Sequence, residues 1–308
     1  MEKGNSNAEA IIILAVLVAI AIISPGNFFR QPGDIAPSGD NGSSPAGGSG
    51  GSTGETSSSY SRDISIGNGN AAYAYQSYEE YITLDNRGRD SINITGWQLQ
   101  NDKDNRAYDL GGAVRHFSAD VAIIPQAARL VSPTGNNVFQ NVILEPGERA
   151  IVTTGSVGPQ LPYKIVSFKE NICSGYLENL SEYTFTPSLS RNCPRPANEP
   201  GVNALDTECR KFIERMSSCR TPEFETLDRN GDVCKNCVDG VPLSSSCVAF
   251  IKSRFSYSSC IANHSGDPDF SEKTWRIFLG RGWEMWAREY ETIKLFDQLG
   301  RLVNTRSY

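Results

Sequence analysis

The stretch EYITLDNRGRDSINITGWQLQND, residues 80–102, decides the fold of this chain. It begins with a run from Tyr81 to Leu84 in which apolar and polar residues alternate, and this run is closed by turn-forming residues. A second run follows at residues 92–99. In it, Gly96 gives room for the chain to turn inward, and Trp97 is predicted to lie in a core. Alternation with a period of two, broken by turns, is typical of short strands in an antiparallel sandwich and not of βαβ units.

Similar short runs lie on both sides of this stretch. One begins at residues 64–66, and another at residues 142–144 leads into the turn 145–148 and a strand at 150–153. Near the far end of the chain, residues 297–300 are predicted to be the tight connection of a last hairpin. The pattern therefore predicts a mainly β domain.

Four of these motifs together resemble the lamin tail domain, an immunoglobulin-like antiparallel β-sandwich. They are EYITLDNRG (80–88), INITGWQLQND (92–102), LEPGERAIV (144–152) and ETIKLFDQLGRLVNTRSY (291–308). Their order matches that of the family: a glutamate-led strand, a Gly-Trp strand, a proline-glycine turn before a strand, and a final hairpin. The resemblance covers residues 62–155 and 272–308 and implies a scaffold whose function lies in its loops and insertions.

The first segment of the chain, residues 1–30, is predicted to anchor it in a membrane. Fourteen apolar residues run without a break from Ala10 to Ile23. Counted through Phe29, the segment reaches about 20 residues, enough for a tilted transmembrane helix. We therefore expect a membrane partner for residues 10–29. A cleaved secretory signal is an alternative, because a short apolar core after a charged start is typical of one.

The same terminus resembles the processing site of type IV prepilins of class III. Cleavage in that family follows a glycine, here Gly4, and a glutamate stands fifth after it, here Glu9. The resemblance implies that Glu9 neutralises the new amino terminus of a neighbouring subunit inside an apolar bundle, where an unpaired charge is costly. A pilin-like filament or surface-assembly subunit is therefore an alternative function.

Residues 31–61 are predicted to be a disordered linker. Between Gln31 and Ser59, 16 of 29 residues are glycine or serine. Such a segment buries too little apolar surface to offset its ordering entropy. A flexible tether between a membrane helix and a folded module suggests that the module is displayed.

A cysteine-rich insertion, residues 156–271, interrupts the predicted sandwich. It holds all eight cysteines of the chain: Cys173, Cys193, Cys209, Cys219, Cys234, Cys237, Cys247 and Cys260. An even number crowded into one segment favours disulfide bonds in an oxidising compartment, although the sequence does not choose their connectivity. The bulk of the chain is therefore expected outside the cytoplasm.

Two helices are predicted in the insertion. Apolar residues recur at helical spacing over 205–219, with Asn203 or Asp206 available as a cap. A second helix is predicted from about 245 to 255, capped by Ser244 or the serine after it. The insertion is thus expected to be a small α-rich lobe pinned by disulfides.

Three sets of residues in this lobe are candidates for binding a ligand or partner, beside the structural role of the disulfides. Cys234 and Cys237 form a CxxC pair that suits zinc or a redox dithiol, but a second ligand pair and a thioredoxin-like setting are missing. Asp228, Asn230 and Asp232 offer oxygen ligands for calcium without the spacing of an EF-hand. Five aromatic residues are weak candidates for anchoring a surface protein or glycan: Tyr163, Phe168, Tyr176, Tyr183 and Phe185.

Composition limits the remaining functions. Acidic side chains outnumber basic ones by 35 to 29, and the net charge of −6 argues against nucleic-acid binding through phosphate contacts. His116 and His264 are too few for a histidine metal cage, and no catalytic motif is present. Glu79 and Glu80 are adjacent on a strand, so they point to opposite faces and do not suit an acid–base pair. We therefore expect no enzymatic activity, cofactor or metal, but a membrane-anchored extracytoplasmic protein that presents a binding or structural surface; a thiol or metal module using the CxxC pair is an alternative.

Overall fold

The computed structural model describes residues 57–308 except 104, 105, 110, 159, 160, 229, 230 and 233. Within these residues the chain is mainly β. In chain order, the strands are β1 (Ile64–Gly67), β2 (Tyr81–Asn86), β3 (Ile92–Asn93), β4 (Gln98–Gln100), β5 (Arg106–Asp109), β6 (Val114–Phe117), β7 (Val121–Ile123), β8 (Ala127–Ala128), β9 (Phe139–Gln140), β10 (Ile143–Leu144), β11 (Arg149–Thr153), β12 (Phe168–Asn171), β13 (Cys237–Val238), β14 (Val241–Pro242), β15 (Ser271–Phe278), β16 (Thr292–Phe296) and β17 (Leu302–Ser307). The helices are α1 (Ser174–Glu178), α2 (Thr207–Glu214), α3 (Ser245–Arg254) and α4 (Tyr257–His264).

The larger sheet has seven strands in the order β1-β2-β11-β15-β12-β8-β9. Leu84 of β2 pairs with Ala150 of β11, which pairs in turn with Trp275 of β15. These three side chains are buried, and buried residues alternate with half-exposed ones along β2. The alternation that the sequence shows therefore corresponds to one face of the sheet that packs on a core.

A second sheet has four strands in the order β17-β16-β4-β7. Leu295 of β16 pairs with Leu99 of β4, which pairs with Ala122 of β7. This row of side chains and the row in the larger sheet belong to one hydrophobic core. Trp97 lies in the same core and is 1% exposed, and Gly96 before it has a φ of +81°, which favours glycine. The prediction that Trp97 is a core residue is confirmed.

The prediction of a purely antiparallel sheet is wrong at two pairs of strands. β15 runs parallel to β11, and β12 runs parallel to β8. Parallel neighbours need a crossover connection of a dozen or more residues. The chain between β11 and β15 supplies such a crossover, because it contains the whole cysteine-rich segment. The long connection therefore makes a mixed sheet possible.

The predicted final hairpin is present, with β16 and β17 antiparallel. The buried carboxylate of Asp297 accepts hydrogen bonds from the backbone N–H groups of Leu299 and Arg301 and from the hydroxyl of Ser58. Burial alone raises the pKa of Asp297, but these hydrogen bonds outweigh that effect and hold the pKa below its usual value. The turn that the sequence predicted is thus fixed by an ionised side chain.

The cysteine-rich segment is stapled by four disulfides. The pairs are Cys173–Cys260, Cys193–Cys219, Cys209–Cys247 and Cys234–Cys237. The expectation of disulfide bonds among all eight cysteines is confirmed. Around them lie two hydrophobic clusters, one that includes α1, α4 and β12, and another that includes α2 and α3.

Both predicted helices are present, but the first is shorter than predicted. Asp206 caps α2 and accepts a hydrogen bond from the Cys209 N–H at 2.8 Å. The helix ends at Glu214 with Arg215 as its C-cap, and the chain has left the helix before Cys219, whose φ of +62° a right-handed helix does not allow. Ser244 caps α3 as predicted. The sequence did not predict α1 and α4.

The cysteine-rich segment is joined to the larger sheet by a strand and by a buried ion pair. Its strand β12 pairs with β15. Arg276 of β15 donates to the Glu170 carboxylate of β12 at 2.5 Å, and its other N–H groups donate to the carbonyls of Pro187 and Ser188. Both charged side chains are only 3% exposed. The described residues accordingly belong to one compact unit, Thr53–Tyr308.

Among the described residues, no helix is both long enough and apolar enough to cross a bilayer. The predicted anchor at residues 1–30, with its membrane segment 10–29, lies outside the described residues. The same is true of Gly4 and Glu9 and of most of the predicted linker 31–61.

Candidate binding surface

The aromatic residues predicted to anchor a partner are not at the surface. Phe168, Tyr176, Tyr183 and Phe185 are buried in the cluster around α1 and α4, and Tyr163 is half-buried against it. The Phe185 ring packs against the rings of Phe168 and Tyr183, with centroids 6.5 and 6.0 Å away. Their prediction as anchors is therefore wrong, because these rings form the core of the insertion.

The residues considered for metal or redox chemistry have structural contacts. Cys234 and Cys237 are bonded to each other. The Asp228 carboxylate accepts a hydrogen bond from the Asp232 N–H at 2.9 Å, and Asn230 lies outside the described residues. In the part of the chain that the structure describes, no group of three or more His, Cys, Asp or Glu side chains could hold a metal ion.

The side chain of His264 links α4 to the preceding part of the insertion. Its two ring nitrogens lie 2.8 Å from an Asp267 carboxylate oxygen and 3.0 Å from a Glu199 carboxylate oxygen. Burial lowers the pKa of His264, but the hydrogen bonds to the two carboxylates outweigh this and raise the pKa above its usual value. The two carboxylates therefore favour the protonated form of the histidine in the folded lobe. His116 lies on the exposed strand β6.

Exposed aromatic side chains concentrate in two loops at one end of the sheets. The first loop, residues 68–80, connects β1 to β2, and the second, residues 279–291, connects β15 to β16. Tyr73 and Tyr290 are 75% and 83% exposed. The other exposed aromatic residues in these loops are Tyr75, Tyr78 and Trp283. Tyrosine and tryptophan are enriched in protein binding surfaces, so this end of the molecule is the candidate site.

The two loops enclose an open cleft of about 650 Å³, which we term the tyrosine cleft. Four tyrosines line it, Tyr73, Tyr75, Tyr290 and Tyr308, and the polar side chains of Asn68, Arg288 and Glu289 lie among them. The guanidinium of Arg288 lies 3.6 Å from the centroid of the Tyr75 ring. This cation–π contact joins one loop to the other.

The first loop is shaped by asparagine and alanine residues. The Asn70 side chain donates to the Glu79 carbonyl at 2.7 Å and accepts from the Tyr81 N–H at 2.9 Å, which closes the loop across its base. Ala71 and Ala74 are buried. Because these small residues face inward, the tyrosines next to them, such as Tyr73, face solvent.

The second loop is held by the buried carboxylate of Glu80. Its two oxygens accept hydrogen bonds from the backbone N–H groups of Met285 and Trp286, at 2.6 and 3.2 Å. Burial raises the pKa of Glu80 above its usual value, although these hydrogen bonds act in the opposite direction. Glu79 beside it is half-exposed, so the two adjacent carboxylates differ in environment.

Glu291 holds the other end of the same loop. This buried side chain accepts hydrogen bonds from the N–H groups of Ala287 and Asp102, at 3.0 and 2.8 Å. The Tyr308 hydroxyl donates to the Ala287 carbonyl at 2.9 Å. The loop is therefore fixed to the body of the protein at several backbone positions, and its aromatic side chains are presented on a rigid support.

Tyr290 has an unusual backbone conformation. Its φ is +55°, in the left-handed region that bulky residues rarely occupy. A residue held in such a conformation has a free-energy cost that the surrounding structure must offset, and such residues cluster at binding and active sites. The site thus combines exposure with local backbone strain.

Sequence reasoning did not find this site. The signal was present in the alternation of tyrosine and alanine at residues 71–75, which follows an Asn-Gly-Asn turn, and in the aromatic residues of 283–290. The two segments are far apart in sequence, and only the pairing of β2, β11 and β15 brings them together.

No protein-family model matches the chain, and no curated protein matches it at a significant level.

Proposed function

We propose that this chain is a non-enzymatic, membrane-anchored protein whose β domain presents the tyrosine cleft on the outside of the cell. The observation that carries the proposal is the cleft itself, which groups exposed aromatic rings on loops whose backbones are fixed by buried carboxylates. The described site holds no arrangement of nucleophile, base and cofactor ligands, and rigid exposed aromatic side chains are typical of binding surfaces.

The position of the first described residues supports display of the cleft. Ser57 bridges to Leu302 at the start of β17, and the Ser58 N–H donates to the Leu302 carbonyl at 2.8 Å. At the other end of β17, the Tyr308 N–H donates to the carbonyl of Glu291 beside the cleft. A strand of six residues spans roughly 20 Å. The chain from the predicted anchor therefore joins the domain at the end opposite to the cleft.

The disulfides support an extracytoplasmic location. Four bonds formed by eight cysteines are expected where the environment is oxidising, because thiols in the cytoplasm are kept reduced. This argument is independent of the membrane segment, whose flanking charges do not decide its orientation.

We also propose that the two sheets form an immunoglobulin-like sandwich of the lamin-tail type. The strand β2 covers the motif led by Glu80, the buried Trp97 follows a glycine with positive φ, and β16 and β17 form the last hairpin. These features follow one another along the chain in the same order as the motifs, and they therefore support the resemblance. The parallel strand β15 is a departure that the insertion brings with it.

Labelling of intact cells tests the proposed location. The full-length protein carrying Tyr73→Cys is treated with a membrane-impermeant maleimide, and Ala71→Cys, at a buried position two residues away, is the matched control. We expect labelling of the Tyr73 variant and none of the control. Absence of labelling on intact cells, with labelling after lysis, contradicts the proposal.

The mass of the purified full-length protein tests the pairing of the cysteines and the processing of the N-terminus. Alkylation before reduction should modify no cysteine, because all eight are paired. Eight alkylated thiols would contradict an oxidising location. An intact or signal-processed N-terminus agrees with an anchor or a secreted domain respectively, whereas an N-terminus at Asn5 would favour the pilin-like alternative.

A further inference from the structure

We propose that the Cys234–Cys237 disulfide is an exchange site that accepts the thiol of a partner molecule. This inference goes beyond display of the tyrosine cleft, because it concerns a covalent reaction in a different part of the chain, the cysteine-rich insertion. It does not depend on what the cleft binds.

Cys234 differs from the other cysteines in its exposure. Seven of the eight cysteines are buried, whereas Cys234 is half-exposed. Its partner Cys237 is only 1% exposed. Exchange between a thiol and a disulfide requires that a thiolate reach one of the two bonded sulfurs. The three other disulfides each join two buried residues, so Cys234 is the most accessible point of attack among the four pairs.

The pair also spans less chain than the others. Its cysteines are three positions apart, and those of the other pairs are 26, 38 and 87 positions apart. A disulfide that closes a short loop restricts the unfolded chain least, so in the chain-entropy model it contributes least to stability. Opening of this pair is therefore expected to leave the rest of the insertion folded.

The backbone holds Cys237 in place without help from the disulfide. Cys237 lies on β13 and pairs with Pro242 of β14. Its carbonyl accepts a hydrogen bond from the Glu225 N–H at 3.0 Å. The thiol of Cys237 therefore stays close to Cys234 after the bond opens, so that the bond can form again.

The turn that carries the pair lies against the N-terminus of α3. The Asn236 side chain donates to the Ser245 hydroxyl at 3.2 Å, and the Asn236 carbonyl accepts from the Leu243 N–H at 3.1 Å. The N-terminal end of a helix carries a partial positive charge, and the neighbouring Lys235 adds an exposed cation. Both favour the thiolate, which is the form of cysteine that takes part in exchange.

The proposed reaction is a substitution at sulfur. The thiolate of the partner attacks the Sγ of Cys234, and a new S–S bond forms between them. The bond between Cys234 and Cys237 breaks, its electron pair stays on the Sγ of Cys237, and this sulfur takes up the proton that the partner thiol lost. The partner is then joined to Cys234. If it has a second thiol, attack on its own bonded sulfur releases it as a disulfide and leaves both cysteines reduced.

Reduction of the native full-length protein in detergent tests the inference. Reduced glutathione is added, samples are quenched with N-ethylmaleimide, and peptide mass mapping identifies the modified cysteines. We expect Cys234–Cys237 to open about tenfold or more faster than any other pair, with glutathione attached to Cys234. Circular dichroism should stay that of the native protein while only this pair is open.

A peptide with a single cysteine is the second probe, because the partner thiol can belong to a small molecule or to a protein. Faster reaction with the peptide than with glutathione indicates a protein thiol, and faster reaction with glutathione indicates a small one. Reaction of neither probe at Cys234 contradicts the inference.

Two single variants are matched controls. Cys237→Ser leaves the half-exposed Cys234 as a free thiol, and Cys234→Ser leaves the buried Cys237. The first should form a mixed disulfide with oxidised glutathione about tenfold or more faster than the second. Equal rates would overturn the inference, as would opening of another pair as fast as Cys234–Cys237, or loss of the native fold when this pair opens. Reduction of the unsubstituted protein keeps the inference testable even if a variant does not fold.

Discussion

Replacing Tyr290 with asparagine is expected to stabilise the fold slightly while it damages the cleft. Its φ of +55° costs most L-residues about 1–2 kcal/mol, and asparagine accepts this region more readily. The residue is 83% exposed, so its side chain hides about 35 Å² of a surface of about 200 Å², worth about 0.9 kcal/mol at ~25 cal/mol/Å². The difference is a net gain of about 0.5 kcal/mol.

Thermal unfolding of the full-length protein measures this gain. For a domain of this size class, 0.5 kcal/mol corresponds to a rise in Tm of about 1–2 °C. Tyr290→Phe keeps both the ring and the backbone conformation, so it should not show the rise in Tm expected of Tyr290→Asn. Glu225→Asn relieves the same kind of backbone conformation, at φ +58°, within the insertion. It should therefore also raise Tm, by a similar amount.

The reasoning would be refuted by one combination of results. If Tyr290→Asn lowers Tm by several degrees while Glu225→Asn raises it, the backbone of Tyr290 is favoured by packing inside the protein. The conformation would then say nothing about a ligand, and the argument from strain would fail.

Three further predictions concern the support of the cleft and its surroundings. Arg276→Met should lower the free energy of unfolding by about 3–5 kcal/mol, measured by denaturant titration, because it leaves Glu170 buried without its partner. The raised pKa of Glu80 means that the folded state keeps this proton to higher pH than the unfolded state, so stability should fall as pH rises from 4.5 through the folded pKa. Glu80→Gln should remove that part of the fall in a series of melts at different pH. Replacing both Cys173 and Cys260 with alanine opens a loop with a sequence separation of 87, which should cost about 4.6 kcal/mol in equilibrium unfolding if chain entropy dominates.

The strands of the core could be predicted because their signal is local. β2 and β16 alternate buried and half-exposed residues, and their turns contain residues that favour turns. The cap of α2 was narrowed to two residues for the same reason, Asn203 or Asp206, and Asp206 is the one that caps the helix. The end of that helix at Glu214 was not predicted, because the apolar spacing continues beyond it to Cys219.

Pairing and exposure could not be predicted, because they depend on distant residues. The residues of β15 do not show that it runs parallel to β11, and the long connection before it permits either direction. Likewise, Phe168 and Tyr73 both lie in short segments that mix apolar and polar residues, yet Phe168 is buried and Tyr73 is exposed. Which aromatic ring faces solvent is set by what packs beside it.

The same packing explains why the candidate surface lies on the sandwich loops and not on the larger insertion. The disulfides and aromatic rings of the insertion together make its two hydrophobic clusters, so few of its described rings remain exposed. The loops 68–80 and 279–291 rest on a core that the two sheets already provide, and their backbones are held by Glu80 and Glu291. Their aromatic side chains are therefore not needed for stability. Aromatic side chains that the fold does not need for stability are free to be selected for binding at the surface. Tyr73→Ala should therefore weaken binding at the cleft while it leaves the melting temperature nearly unchanged.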